Sequence, residues 1–290
     1  MRTYLECIPC FLRQVLEIGR LITSDETVHK SLIDEACMLV PEISMNMPPP
    51  EIAPRIYSMI KAKCGDRDFY RDIKEKSNRM ALNLYPKLKR KIEASDDRLL
   101  TALELAIMGN IIDYAAKNTL DIDSEIEKLF NGELDSIKKT TFHYDLFRED
   151  LSKAKIVLYL GDNAGEVVFD RAFIEEFYKE KEVFFAVRGS AVINDVLIED
   201  AHVAGIDKVA KVISSGVDTP GLVLNRCSED FLQIFREADI IISKGQGNYE
   251  ALDGVDTDRR IYFLFRVKCP VIAKHAGVSL GEIALLKGDR

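Results

Sequence analysis

With 290 residues, 47% hydrophobic and 30% charged, the chain has the composition of an ordinary globular protein and can bury a sizeable core in one large domain or two smaller ones. A formal charge of −8 excludes the basic surface needed to bind a nucleic-acid backbone. No apolar run is long enough to cross a bilayer, and Met1–Glu6 lacks an apolar signal core, so the expectation is a cytoplasmic protein with no membrane partner.

Residues 1 to about 130 predict helices. The first carries Cys7-Ile-Pro-Cys10, followed by Phe11, Leu12, Val15 and Leu16 at helical spacing. The other cysteines (Cys37, Cys64, Cys227, Cys269) are scattered, unlike a secreted disulfide framework. A zinc site wants a second pair, and a redox pair wants a thioredoxin-type strand and helix beside it. Cys7 and Cys10 therefore read first as two buried small residues at a helix start, with metal and redox roles as the alternatives. Thr23-Ser-Asp-Glu26 predicts a capping box for a helix with Val28, Leu32, Ala36 and Leu39 on one face, ended by Pro41. Pro48–Pro50 forms a stiff connection to two more helical stretches, Glu51–Lys63 and Asp68 to about Glu93, with Gly65 as a stop between them.

Leu99–Ala116 predicts a helix apolar around nearly its whole circumference, hence buried. Asn110 and Asp113 fall inside it, three apart on one face. A buried carboxylate needs a partner, a cation or a cavity, so Asp113 reads either as part of an internal packing network or as part of a site. Residues 131–150 predict a crossing segment.

Beyond it the pattern changes. Apolar runs at Ile156–Leu160, Val183–Val187, Val209–Ile213, Ile240–Ile242 and Ile261–Phe265 alternate with mostly helix-length segments, which implies parallel strands with crossover helices. The predicted fold is α/β: a Rossmann-like, mostly parallel sheet with helices on both faces over 151–290, preceded by a helical N-terminal domain over 1–130.

Ligands bind at the carboxyl edge of such a sheet. The first strand runs into Gly161-Asp-Asn-Ala-Gly-Glu166, where Asp162 beside Asn163 offers hard oxygen ligands for a divalent cation. The plainer reading of this corner is a capped helix start. The second strand is followed by Arg188-Gly-Ser190 and Asn194-Asp195, the third by Ser214-Ser215-Gly216, and the fourth by Ser243-Lys-Gly-Gln-Gly-Asn248. Singly, each is an ordinary turn. Placed together they supply carboxylates and an amide for a cation, a lysine, and glycine- and serine-rich turns with backbone amides, which suits a phosphorylated ligand bridged by a metal. A Walker A sequence, a complete dinucleotide fingerprint, H-E-x-x-H and G-x-S-x-G are all missing, and the four histidines are far apart in sequence.

Together, Gly161–Glu166, Arg188-Gly with Ile193-Asn-Asp195, Lys244-Gly-Gln-Gly-Asn248, Gly109-Asn-Ile-Ile-Asp113 and the leading C-x-x-C resemble the metal-dependent damage-control phosphatases, in their C-x-x-C-bearing prokaryotic branch, over essentially the whole chain. The resemblance implies a divalent cofactor (magnesium, manganese, cobalt or nickel) and hydrolysis of sugar phosphates or related phosphometabolites. It implies Asp162, Asn163 and Asp195 as metal ligands, and Asp162, Asp195 and Lys244 as catalytic groups. Lys244 would contact the substrate phosphate, with Gly245, Asn248, Arg188, Asn194, Ser215, Asn110, Asp113 and Glu166 in the substrate site. Two other classes share such a sheet: a methyltransferase using S-adenosylmethionine, which would want a glycine-rich loop after its first strand and no metal, and a non-catalytic sugar-phosphate sensor.

Overall fold

The structure, a computed structural model, describes residues 1–109, 138–255 and 260–288. Its first three helices are α1 (Cys7–Ile22), α2 (Glu26–Leu39) and α3 (Ala53–Cys64). They pack around Val15, Ile18, Leu32, Ile56 and Ile60, and Val192 from a distant loop joins this core. The cap of α2 is one of the places where the structure departs from the sequence pattern. Asp25, not Thr23, is the N-cap and accepts the Thr27 N–H, while the Thr23 hydroxyl accepts the Asp25 N–H. A carboxylate also complements the positive end of the helix dipole, which favours it over the hydroxyl. Gly65, at φ +86°, ends α3 as expected.

Of two further helices, α4 (Arg71–Glu93) and α5 (Arg98–Met108), α5 lies against the sheet and α4 packs on α5. Ala81, Leu88 and Ile92 of α4 and Leu103, Leu105 and Ile107 of α5 share one apolar core with Val157, Tyr159, Phe185 and Ile242 from strands. The near-continuous apolar surface of α5 is the reason its last two turns, Ala102–Met108, are enclosed there.

A sixth helix, α6 (Tyr144–Lys153), leads into the sheet. Its strands are β1 (Ile156–Leu160), β2 (Glu182–Val187), β3 (Lys211–Ser214), β4 (Ile240–Lys244), β5 (Arg260–Arg266) and β6 (Ile283–Lys287). The order is β3-β2-β1-β4-β5-β6, parallel throughout except for β6, which runs antiparallel to β5. The five parallel strands match the five apolar runs to within one to two residues at each end. The antiparallel sixth, Ile-Ala-Leu-Leu-Lys, was not distinguishable by its pattern from the end of a helix.

Helices cover both faces, because alternate strand residues point to opposite sides. Val157 and Tyr159 face the layer of α4, α5, α6 and α7 (Glu166–Ile174), joined by α8 (Ile198–Ala204). Leu158 and Leu160 face α9 (Glu229–Glu237), α10 (Gly245–Leu252) and α11 (Pro270–Ala276). From β1 the chain builds outward through β2 and β3. It then returns to the other side of β1 for β4 and builds outward again, so its direction reverses between β1 and β4. At that reversal the connections diverge and leave a crevice beyond the carboxyl ends of the strands. Among the described residues, no helix is long and apolar enough to cross a membrane.

The core on the α7 face is aromatic at its centre. Phe173 is fully buried and its ring contacts those of Phe147, Tyr159 and Phe177. Phe173→Ala removes the middle of this cluster, and the expected cost is about 3–5 kcal/mol, read as a fall in the urea midpoint at unchanged slope. A loss below about 1 kcal/mol would mean the cluster does not hold the α7 layer to the sheet.

Candidate active site

β1 and β4 lie side by side, Leu160 paired with Ser243, so the residues that follow them meet at the crevice. Gly161–Glu166 leaves β1 and turns into α7; Lys244 ends β4 and Gly245 opens α10. These two corners touch closely. A Cβ on Gly245 would lie 2.0 Å from Asp162 Oδ2, and Gly245 also has φ +79°, so only glycine lets the α10 backbone approach the carboxylate. The turn after β2 joins them: the Val196 N–H donates to Asp162 O at 2.8 Å and the Ala164 N–H to Asn194 O at 2.9 Å, while Asn163 and Asp195 form an isolated bridge. The three residues expected to ligate a metal are thus brought together.

Around them lies a buried network of charge. Arg188, 2% exposed, donates from Nε to Asp195 Oδ2 at 2.5 Å and stands 4.0 Å from Asp162 Oδ1. Lys244, fully buried, donates to Glu166 Oε1 and Asp170 Oδ1 at 2.5 Å each and to Ala106 O at 2.9 Å. Tyr159 adds a bond from its hydroxyl to Asp170 Oδ1 at 2.7 Å. Asn163 spends its amide protons on Asp162 Oδ2 at 2.8 Å and Glu166 Oε2 at 3.4 Å, which leaves the amide oxygen without a hydrogen bond among the described residues.

Four carboxylates (Asp162, Glu166, Asp170, Asp195) therefore face two cations (Lys244, Arg188) in a region of almost no exposure. The surplus of negative charge falls on Asp162. Its pKa is pushed well above the usual carboxylate range, first by burial and then by Glu166 and Asp195. Burial also raises Asp170, to about 6, against the pull of Lys244. Burial disfavours the Lys244 ammonium, but Asp170 and Glu166 more than offset this and hold it charged. Among the described residues, no group of three or more histidine, cysteine, aspartate and glutamate side chains is placed to hold a metal ion by itself. The set at this edge is two carboxylates joined by an amide, all oxygen donors, with negative charge to spare. That is the chemistry a hard divalent cation needs.

The cleft over this edge has a volume of about 490 Å³, and Asp162, Asn163, Glu166, Asn194 and Gly245 line its floor. Asn194 is 4% exposed and its Nδ2 has no hydrogen-bond partner among the described residues. Other expected contacts are placed elsewhere. Lys244 and Arg188 lie beneath the floor, on the carboxylates. Ser215 is fully buried and its hydroxyl donates to Val187 O at 2.7 Å. Asn248 uses its side chain to tie Gly161, Lys244 and Leu222 together. Asn110 and Asp113 lie outside the described residues.

The walls of the cleft come from regions not connected with the site in the sequence. α1 contributes Cys7, Cys10, Arg13 and Gln14, and the end of β5 with the loop after it contributes Arg266, Lys268 and Cys269. All three cysteines are free thiols; Cys7 is buried, as expected, but Cys10 is exposed. Gln246 fastens the β5 loop to α10, its Oε1 accepting the Lys268 N–H at 2.8 Å. Arg266 and Lys268 follow a predicted strand, so the rule that located Asp162 also reaches them.

A family model for the damage-control phosphatase ARMT1-like domain matches residues 3–284. The chain belongs to this family. It is 36% identical over 97% of its length to an uncharacterized protein of Methanocaldococcus jannaschii, covering 94% of that protein. It is 33% identical over 99% of its length to a damage-control phosphatase of Pyrococcus horikoshii, covering 98% of it. A crystal structure of a DUF89 family protein from Pyrococcus horikoshii superposes with a TM-score of 0.86 at 30% identity, all of each chain being covered. Family membership thus extends over both the sheet and the helices that wall the cleft.

One wall residue gives the fold a pH dependence. Burial raises Glu250 to about 7 from an ordinary 4.5, partly offset by the chain's amino group. The unfolded chain gives up this proton near 4.5 while the folded protein keeps it to about 7, so stability falls as pH rises across that window and levels off above it. Glu250→Gln removes the difference. Its unfolding free energy should gain on wild type by about 1–3 kcal/mol between pH 4 and pH 8, measured by urea titration at each pH. Parallel curves would contradict the assignment.

Proposed function

We propose that this protein is a divalent-cation-dependent phosphatase acting on small phosphorylated metabolites, sugar phosphates among them. The observation that carries the proposal is the surplus of buried carboxylate over cationic side chains at the β1–β4 reversal among the described residues, which a bound cation would relieve. The names of the relatives support the phosphatase activity. The strand order supports reading the sheet as Rossmann-like. We read the five leading helices among the described residues as part of an N-terminal helical domain, the last two of them sharing the core of the sheet.

Asp162, Asn163 and Asp195 would hold the cation. When bound, it would polarise a phosphoryl oxygen and neutralise charge that develops as the ester breaks. The residues of the chain do the rest. Arg188 fixes the orientation of Asp195 by donating to Oδ2, and keeps a second positive charge near Asp162. Lys244 is bonded to Glu166, which faces the cleft, so the lysine acts on the site through that carboxylate and not by touching phosphate. The first-turn amides of α10, at Gly245 to Gly247, and the Nδ2 of Asn194 are donors for the phosphate oxygens. Arg13, Arg266 and Lys268 sit farther out, where the remainder of a phosphometabolite would lie.

The test is phosphate release from a panel of sugar phosphates and other phosphoesters with magnesium, manganese, cobalt or nickel, against a chelator control. Chelation should abolish turnover. Asp162→Ala should lower kcat/KM by at least about 100-fold without loss of folding stability, since it removes a carboxylate whose ionised form burial disfavours. Asn163→Ala, which removes a neutral ligand, should cost less. Full turnover in chelator, together with an Asp162→Ala variant as active as wild type, would sink the proposal. Ligand binding with no turnover on any substrate would favour a sensor.

A further inference from the structure

The ligand set sits on two irregular turns, Gly161–Glu166 and Val192–Val196, and each contains an uncommon backbone conformation. Ile193 has φ +38°, a left-handed value that a β-branched side chain rarely adopts. Gly165, at φ +82°, opens α7 with no side-chain cap of its own. A left-handed conformation at a β-branched residue such as Ile193 persists only where the surroundings hold it, and the free N–H of Gly165 at the start of α7 needs an acceptor. In this protein the holding groups come from the helices.

Tyr57 of α3, 7% exposed, accepts the Ile193 N–H at its hydroxyl oxygen. Asn78 of α4, 3% exposed, accepts the Gly165 N–H at Oδ1 over 2.7 Å and donates from Nδ2 to Asp200 Oδ1 over 2.9 Å. The other oxygen of Asp200 accepts the Leu197 N–H at 3.0 Å and the Lys74 ammonium at 3.0 Å. Lys74 is also paired with Asp68 at 2.8 Å. One buried chain of bonds thus ends on Gly165, inside the first turn, and on Leu197, just past the second.

Packing alone does not call for these residues. Lys74, Asn78 and Asp200 are 3%, 3% and 5% exposed, and apolar side chains of similar volume would cover the same surface without the cost of desolvating charge. What apolar side chains would not do is take up backbone N–H groups of the two turns. We propose that Tyr57 and Asn78 are positioning residues that set the spacing of Asp162, Asn163 and Asp195, with Asp200 and Lys74 locking Asn78 in place. The proposal rests on the reading of this edge as a cation site.

Tyr57→Phe deletes one oxygen and leaves the fold intact; Asn78→Ala deletes both ends of a bridge, and Asp200→Asn serves where Asn78→Ala does not fold. Two measurements judge them. Amide hydrogen exchange on metal-free protein should quicken in the segments 161–168 and 190–198 and stay unchanged in β4 and β5. Mn²⁺ affinity, measured by calorimetry without substrate, should weaken by about 10-fold or more, the size seen on removing the supports of metal ligands. Unchanged exchange in both turns, or Mn²⁺ affinity within about twofold of a wild type that does bind, overturns the proposal. Wild-type binding that is absent, or indifferent to Asp162→Ala, overturns the cation reading and this proposal with it. The exchange data separate those two failures, because they need no metal.

Discussion

Burying like charges costs more than almost any packing arrangement returns, and this protein gathers four carboxylates at the edge of its sheet. Two of them, Glu166 and Asp170, are bonded to Lys244, and a third, Asp195, to Arg188. The fourth, Asp162, has an amide at 2.8 Å and a guanidinium no closer than 4.0 Å. Its neighbours on the α10 side are backbone, brought close because residue 245 is glycine. The fold therefore holds Asp162 where its ionised form is disfavoured, and under the proposed function a divalent cation would resolve the imbalance while leaving the cleft open to an anionic substrate.

The helical layer acquires its purpose from that arrangement. α5 and α4 close the face of the sheet on which Lys244 is buried, and Ala106 O of α5 is one of the lysine's three acceptors. α1 walls the cleft, and α3 and α4 reach the turns that carry Asp162, Asn163 and Asp195. A sheet alone would present the same residues on loose connections; with the helices in place, the Gly165 and Ile193 N–H groups of those connections have side-chain partners.

Much of this was legible in the sequence. Five apolar runs of three to five residues located the parallel strands because a strand covered on both faces must be apolar along its length. The rule that ligands gather beyond the carboxyl ends of strands then selected Asp162, Asn163, Asn194, Asp195 and Gly245, and the structure brings these together. The same rule could not say which polar residues face the cleft and which lie beneath it. Lys244, Arg188, Ser215 and Asn248 are at the right edge, but their orientation depends on partners remote in sequence, such as Asp170 and Ala106, whose roles have no local pattern. Part of the cleft wall was hidden for a related reason. Arg13 and Gln14 belong to a helix whose periodicity reports only its apolar face.

The claim at the centre of this account is that the buried carboxylates of Asp162 and Asp195, with the amide of Asn163, form a cation site. Anomalous diffraction from crystals soaked in Mn²⁺ tests it directly. The account predicts a single strong peak at the β1–β4 edge, bounded by oxygens of those three residues. No peak there, or a peak held instead by the thiols of Cys7, Cys10 and Cys269 at the wall of the cleft, would contradict it.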